Sequence, residues 1–402
     1  MKLPCSRVVT DFLYGFIGVA VMNATVQLCL YPQLNRLVGA DYFGQILFGI
    51  SVLSIFAISF GCAADNSRLV MRNKCDVSNG DYNLTLMILF AVSAVICFPI
   101  FLHILPKENA FLLEALLFFT MLRYYAGVEY RLNLNYRGYL FYYLAISVGY
   151  VIGTLLFRQG ANWAVALICG EFFGIALVAA FGQIFRPPFF LRSSFKACFG
   201  SVAQLSIAGL LNNAVQNLDR ILLIFLIGAA ANAQYYVASL LGKTLALITI
   251  PINSIIIGYL TQSDKRISFA DFLKLFVGVC VMSAVFLLGC VLVTPWFAYY
   301  FYPDMLEDVK PLVFVASLGQ ILCFASGILL TVLLTVASEK WQLIVQIIYV
   351  ISFLGLSIFL GIMSGLYGFT LGVLIANAIR LALVLIICLQ SFLMRRKNTL
   401  IR

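Results

Sequence analysis

Long apolar stretches alternate with short polar ones along the whole chain. The stretches Val8–Tyr31, Tyr235–Leu260 and Tyr367–Leu393 approach or exceed the roughly 20 residues that a helix needs to cross a bilayer. None of them shows the alternation of apolar and polar residues that is typical of a barrel strand. In lipid, every backbone polar group must be paired inside its own segment, so these stretches are predicted to be transmembrane helices.

The same pattern predicts about twelve helices, each long enough to span a bilayer. Composition agrees, because 63% of the residues are hydrophobic and 10% are charged, whereas a soluble domain carries about a quarter charged residues. We therefore predict an all-α polytopic membrane protein. The predicted spans are 8–31, 42–64, 82–105, 110–130, 139–157, 163–182, 198–227, 235–260, 270–293, 311–336, 341–362 and 367–393.

Basic residues are concentrated in alternate connections between the predicted spans. With the N-terminus inside, nearly all of the loop Lys and Arg residues fall on the cytoplasmic side, as the positive-inside rule requires. This distribution accounts for the net charge of +10 without a nucleic-acid partner. We expect a multi-pass protein of the bacterial inner membrane, with both termini in the cytoplasm and a first helix that is not removed as a signal peptide.

An internal repeat divides the chain near its midpoint, where Arg186, Pro187 and Pro188 form a linker-like stretch. The pattern predicts two pseudo-symmetric six-helix lobes, 1–186 and 187–402, around a central cavity and related by an axis along the membrane normal. The alternative is a chance similarity between the first and the seventh predicted spans. A displacement of 189 positions aligns Asn23, Val26, Gln27, Leu37, Gly39, Ala40 and Gln45 with Asn212, Val215, Gln216, Leu226, Gly228, Ala229 and Gln234.

Catalytic and metal-binding patterns are missing from the sequence. The 11 cysteines are scattered singly, His103 is the one histidine, and neither a phosphate-binding Gly loop nor a ligand-spaced cluster occurs. The loops are also too short to fold as domains. We therefore expect no metal, no cofactor and no enzymatic activity.

Ionisable residues within the predicted spans are the strongest functional signal, because a charge in the membrane is costly unless it is paired or faces water. One interpretation is that these charges pair with one another and only fix packing. The other is a cation-lined path for an anionic substrate, since arginine binds phosphate with two charge-assisted hydrogen bonds. On the second interpretation the substrate-binding residues are Arg36, Arg123, Arg220, Lys243 and Arg380, and the ion-coupling residues are Asp219 and Glu171.

The predicted hairpin of the seventh and eighth spans places two of these charges at one depth. Asp219 lies nine residues before Gly228, and Lys243 lies nine residues after Gln234. Both therefore lie about 13 Å from the turn, and an Asp219–Lys243 ion pair is predicted. Arg220 is about 100° around the helix from Asp219 and can face a cavity.

Tyrosines crowd the inner end of the fourth and fifth spans, and an interfacial belt is the expected use of them. Stacking against sugar rings is the alternative. The residues are Tyr124, Tyr125, Tyr130, Tyr136, Tyr139, Tyr142 and Tyr143.

Two regions carry a family resemblance. The stretch 34–44 (LNRLVGADYFG) resembles the turn after the first helix of polysaccharide flippases, and the hairpin with Leu218-Asp219-Arg220, Gly228-Ala229, 235–243 (YYVASLLGK) and 251–254 (PINS) resembles their seventh and eighth helices. These are O-antigen flippases of the Wzx type, in the MOP (multidrug/oligosaccharidyl-lipid/polysaccharide) exporter superfamily. The resemblance implies translocation of an undecaprenyl-diphosphate-linked saccharide unit by ion-coupled alternating access. It also implies membrane lipid and other O-antigen assembly proteins as partners.

Two other functions remain open on the sequence. A multidrug or cation antiporter of the same superfamily would share the architecture but would favour carboxylates in the cavity. A membrane enzyme such as an O-antigen polymerase would favour a large external loop with catalytic residues.

Overall fold

The computed structural model describes residues 5–72, 74–187, 189–192, 194–246, 269–336 and 339–400, and over these residues the regular secondary structure is helical. The chain divides into two compact units, Met1–Ile221 and Leu222–Arg402. The predicted boundary between residues 186 and 187 stays a prediction. The prediction of an all-α polytopic membrane protein is confirmed.

The first unit consists of eight α-helices and a π-helical turn, Val26–Leu30, over the part of it that the structure describes. The helices are α1 Cys5–Thr25, α2 Tyr31–Met71, α3 Asn79–Ile104, α4 Lys107–Ala126, α5 Val128–Leu132, α6 Tyr136–Arg158, α7 Trp163–Phe181 and α8 Phe195–Leu226, the last of which crosses the unit boundary.

The second unit contains α9 Ala229–Ala246, α10 Phe269–Phe301, the short α11 Leu306–Val309, α12 Val313–Val336 and α13 Glu339–Leu400. Its buried apolar core joins α10, α12 and α13, with Phe272, Leu329, Val332 and Ile387 among its members. The predicted eighth span begins as α9, and its later part, including Pro251, lies outside the described residues.

Two of the long helices contain a reversal of the chain. In α2, Gly39 is non-helical (φ 80°, ψ 165°), and the rings of Tyr31 and Phe43 on either side of it are 5.8 Å apart. Twelve residues of unbroken helix would separate them by about 18 Å. In α13 the break is at Gly365, and a Cβ on Gly372 would lie 2.7 Å from the carbonyl carbon of Leu356. Each of these helices therefore provides two spans.

The described residues contain nine helical stretches that are long and apolar enough to cross a membrane, and two of these hold the reversals. The predicted end of the first span at residue 31 is wrong, because helical structure continues past Tyr31 to the break at Gly39. The predicted end of the second span at residue 64 is also wrong, because the helix extends to Met71. Polar residues led to both errors. Asn35 and Asp65 suggested loops by their polarity, but both are buried and helical.

The turns repeat their chemistry in the two halves. Gly39 and Gly228, which the sequence repeat aligns, both adopt positive φ (80° and 132°), a conformation that favours glycine. Pro106 precedes α4 in the first half, and Pro303 follows α10 in the second. Gly160 and Gly365 complete the series with positive φ. Each half therefore has the order glycine, proline, glycine at its turns, and the repeat of six helices stays a prediction.

The connection between α7 and α8, described at residues 183–187, 189–192 and 194, forms a strap across one end of the first unit. The carboxylate of Glu129 accepts the backbone N–H groups of Gln183 and Ile184 at 2.9 and 3.1 Å. The amide nitrogen of Asn79 donates to the carbonyl oxygens of Gln183 and Arg186, both at 2.8 Å. Side chains of the first unit therefore satisfy the backbone at the start of the strap.

The second part of the strap is held at the first turn of α3. Ser78 donates to the carbonyl of Phe190 at 2.7 Å, and Asp81 accepts the backbone N–H of Arg192 at 3.0 Å. Gly80 lies beneath the strap, and a Cβ there would meet the backbone of Phe189 at 2.6 Å. A strap with this many partners is a fixed part of the first unit.

Candidate functional site

A buried ion pair joins α4 to α7 inside the first unit. The guanidinium of Arg123 contacts the carboxylate of Glu171, and the two side chains are 6% and 5% exposed. The sequence predicted Arg123 for substrate binding and Glu171 for ion coupling. In this conformation the two charges neutralise each other.

Aromatic side chains complete the surroundings of the pair. Tyr150 of α6 donates its hydroxyl to Glu171 Oε1 at 2.9 Å. The guanidinium carbon of Arg123 lies 4.1 Å from the ring centroid of Tyr124, a cation–π distance. Tyr142 donates its hydroxyl to the backbone carbonyl of Arg123 at 2.7 Å. These contacts fix the pair on several sides.

Tyr31 extends this cluster towards Arg220. It is buried and lies close enough to Glu171 and Arg220 for both charges to act on its hydroxyl group. Tyr31 directly follows the π-helical turn, where Pro32 has no N–H to continue the regular hydrogen-bond ladder. Such turns widen a helix and are frequent at functional sites. The irregular turn therefore sets the position of Tyr31.

Asp219 and Arg220 lie near the end of α8. Asp219 is buried, and its Oδ1 accepts the backbone N–H of Arg220 at 2.9 Å. The predicted pair of Asp219 with Lys243 stays a prediction. Arg36 is exposed and lies three residues before the break at Gly39.

In the second unit, two cations rest on tyrosine rings. The ammonium of Lys243 in α9 is 5.6 Å from the ring centroid of Tyr235, whose hydroxyl oxygen accepts a hydrogen bond from Gln320 at 3.3 Å. The guanidinium carbon of Arg380 in α13 is 4.8 Å from the centroid of Tyr349. Its Nη1 also donates to the sulfur of Cys323 at 3.6 Å.

The four longer helices of the second unit, α9, α10, α12 and α13, contain few acidic residues. The sequences of α9 and α12 contain no Asp or Glu, and Glu339, the first residue of α13, is its one acidic residue. In α10, Asp271 lies in the first turn. The membrane-embedded parts of these helices therefore have a net positive charge, in contrast to the neutral pair of the first unit.

The prediction that these tyrosines form an interfacial belt is wrong for three of them. Tyr125 and Tyr142 are fully buried, and Tyr143 is nearly so. Tyr142 and Tyr143 pack with Tyr139, whose hydroxyl lies 3.2 Å from that of Tyr143. These rings fill the interior of the helix bundle, because α1 and α7 cover α6 on two sides.

Two residues of the cluster were missed from the sequence. Tyr31 and Tyr150 look like ordinary residues of apolar spans, and no signal in the sequence marks them. Among the described residues, no group of three His, Cys, Asp or Glu side chains is placed to hold a metal ion.

Comparisons with known proteins identify the fold. No protein-family model matches the chain, and no curated protein matches its sequence. The structure is similar to an inward-facing MATE-family multidrug resistance transporter of the MOP superfamily (TM-score 0.70, 14% identity, covering 94% of each chain). It is also similar to the lipid II flippase MurJ in an inward closed conformation (TM-score 0.69, 14% identity, 99% of this chain and 91% of that one).

A third structure has the same fold with a different binding pocket. It is a MOP superfamily transporter from Pyrococcus furiosus, described as having a binding pocket of reverse polarity that suggests a different function (TM-score 0.61, 13% identity, 98% of this chain and 94% of that one). The chain therefore has the fold of MOP transporters, and it is a multi-pass membrane protein. At these identities, the fold leaves the substrate to be argued from the residues of this chain.

Proposed function

We propose that this protein is a flippase of the MOP superfamily that moves an undecaprenyl-diphosphate-linked O-antigen or polysaccharide unit across the bacterial inner membrane. Translocation runs from the cytoplasmic to the periplasmic leaflet by ion-coupled alternating access between two six-helix lobes. The fold supports a transporter, and one of the similar structures is named as a flippase of a lipid-linked substrate. The motifs at residues 34–44 and 218–243 support the O-antigen type.

The charge of the second unit carries this proposal. Arg380 lies in a helix whose one acidic residue is Glu339 at its start, and its guanidinium is stacked on Tyr349. A tyrosine face stabilises a cation without cancelling its charge, so Arg380 remains attractive to an anion. A diphosphate satisfies this arrangement better than the cationic substrate of an antiporter.

The remaining cations have different parts in the proposed site. Arg36 and Arg220 bind the diphosphate or acidic sugars together with Lys243 and Arg380. Arg123 joins them only when it exchanges Glu171 for the substrate, since the pair is closed in this conformation. Asp219 and Glu171 are the proposed ion-coupling carboxylates.

Deletion of the gene in its own host tests the function. Lipopolysaccharide and lipid-linked sugars are examined together in the deleted strain. Loss of O-antigen with undecaprenyl-diphosphate-linked single units retained on the cytoplasmic face supports the flippase. Single units that reach the surface but fail to polymerise would show a polymerase instead. Unchanged glycans with increased drug susceptibility would show a multidrug antiporter.

Variants in the deleted strain test the site. Arg380→Ala should abolish surface O-antigen, and Arg380→Lys should restore part of it because the positive charge returns. Lys310→Ala is the matched control, since Lys310 is exposed and pairs with the exposed Glu307 three residues before it. Full O-antigen in the Arg380→Ala strain at normal protein level would remove Arg380 from the site.

A further inference from the structure

A carboxyl group of α4, separate from the Arg123–Glu171 pair, has no hydrogen-bond partner among the residues that the structure describes. Glu114 is in the third turn of α4, and both of its carboxylate oxygens are buried without a hydrogen bond among the described residues. Buried polar groups nearly always have a partner, and those that do not require an explanation. Glu114 thus differs from Asp65 and Glu171, the carboxylates of this unit that are each paired with an arginine.

Two pairs of aromatic rings flank Glu114 where α3 packs against α4. Phe111 and Phe118 lie three residues before and four residues after Glu114, and so share its face of α4. Phe111 packs against Phe98 of α3 with ring centroids 5.0 Å apart, and Phe118 packs against Phe90 at 4.9 Å. Along α4, Glu114 therefore lies between these two contacts. The apolar space between the contacts is its compartment, and Phe111 on one side of it is 64% exposed.

One titratable side chain of α3 faces this compartment. Cys97 is fully buried and lies close enough to Glu114 for the two groups to interact electrostatically. The Arg123–Glu171 pair lies nine residues further along α4, about 13 Å away along its axis. The other charged groups on the helices packed against α4 are Asp81 and His103 on α3, and Arg36, Asp41, Asp65 and Arg68 on α2.

Several of these groups have partners of their own. Asp41 accepts a hydrogen bond from Gln45, Asp65 pairs with Arg131, and Arg68 donates to Tyr125 and Asn79. Asp81 caps α3 and holds the strap. An ionised Glu114 would have no counter-charge in its compartment, and such a charge is strongly disfavoured inside a membrane.

We propose that Glu114 is a proton-binding site of the first unit. The closed α3–α4 hairpin holds the carboxyl group in its neutral form. Separation of the two phenylalanine pairs admits water, the O–H bond breaks, the proton passes to water and the carboxylate remains. Proton binding and hairpin closure are therefore linked, and each favours the other.

The site itself requires no substrate, and only its use in driving transport rests on the proposed function. That use would supply a carboxyl group for ion coupling while Glu171 stays paired with Arg123. The proton site can be tested on the purified full-length protein without a substrate, so its failure is distinguishable from a failure of the flippase proposal.

Infrared difference spectroscopy of the protein in proteoliposomes detects the neutral carboxyl group through its carbonyl stretching band. The wild type should show this band at neutral pH, and Glu114→Gln should lack it. Glu108→Gln, an exposed position in the first turn of the same helix, should keep it. A band of equal size in wild type and Glu114→Gln, or no band in the wild type at neutral pH, would overturn the proposal.

Two variants that retain Glu114 give independent results. Cys97→Ser places a hydroxyl donor beside the carboxyl group and should shift the band to lower frequency without removing it. Phe98→Ala opens one aromatic contact and should speed the isotope shift of the band in D₂O at least tenfold over the wild type. A band that is unchanged in both variants would place the neutral carboxyl group elsewhere and overturn the assignment to Glu114.

Discussion

Arg123 of α4 and Glu171 of α7 form an ion pair that is more than nine-tenths buried, 48 residues apart in the sequence. Tyr150 of α6 donates a hydrogen bond to the same carboxylate. Three helices therefore meet at one pair of charges. A pair in this setting contributes less through attraction than it would cost if either partner were left alone.

Removal of one partner of the pair should be more harmful than removal of both. Arg123→Ala or Glu171→Ala should lower the free energy of unfolding by about 3–5 kcal/mol, because the remaining charge is buried without compensation. The double variant Arg123→Met with Glu171→Leu should lose less than either. Thermal unfolding of the purified proteins in detergent measures the difference.

The exposed pair Lys310–Glu307 is the control for this experiment. Lys310→Ala should change the free energy of unfolding by no more than about 1 kcal/mol, the range of exposed ion pairs. Single variants at Arg123 and Glu171 that unfold like the control would contradict the role of the buried pair.

Close packing between α6 and α7 depends on Gly149. A Cβ on this residue would lie 2.7 Å from the carbonyl oxygen of Cys169 and 2.9 Å from the Cα of Gly170. Gly149→Ala should push the helices apart and destabilise the protein by about 1–3 kcal/mol. Gly200→Ala, where a Cβ meets nothing within 4 Å, is the matched control. Equal melting temperatures for the two variants would show that the helices adjust without loss.

Release of the strap should expose it to protease. Asn79→Ala removes the bonds to the carbonyls of Gln183 and Arg186 and one bond to Arg68. Trypsin should then cleave the purified variant at Arg192 several times faster than the wild type, as followed by gel electrophoresis. Gln45→Ala, which removes a bond to Asp41 in α2, should be cleaved at the wild-type rate. Equal rates for all three proteins would mean that the strap stays closed without Asn79.

Arg220→Ala should abolish surface O-antigen while the protein remains inserted and abundant. The reason is that Arg220, which lies near Tyr31, is proposed to bind the diphosphate of the substrate, and the variant lacks its guanidinium group. Immunoblots of membranes and lipopolysaccharide gels give the two measurements. Lys196→Ala, an exposed change in the first turn of the same helix, should leave O-antigen normal. Normal O-antigen in the Arg220→Ala strain would remove this residue from the site.

The sequence was most informative about spans and turns. Membrane thickness limits the length of each apolar stretch, so hydropathy alone was enough to place most of the helices. The repeat of 189 positions also aligned Gly39 with Gly228, and both glycines adopt positive φ at a turn. A backbone conformation that favours one residue type can therefore be predicted from the sequence.

Partners within the site could not be predicted in the same way. Counted from Pro106 and Gly160, Arg123 and Glu171 lie about 25 Å and about 16 Å along their helices, yet they are in contact. Helix tilt and the different heights of the turns remove this difference. The prediction for the tyrosines was wrong for a related reason. An almost uniformly apolar helix such as α7 does not indicate which of its faces is covered by other helices. The burial of Tyr142 and Tyr143 against it could therefore not be predicted.

The uneven charge of the two units has an electrical consequence. A charge that crosses the whole membrane field does work of about 2.3 kcal/mol for each 100 mV. The neutral Arg123–Glu171 pair adds nothing to this work, whereas Arg380 adds to it whenever its helix moves through part of the field. A bound diphosphate would cancel most of this charge. The empty protein should therefore respond to membrane voltage more strongly than the loaded one, and the voltage would act mainly on the return step of the cycle.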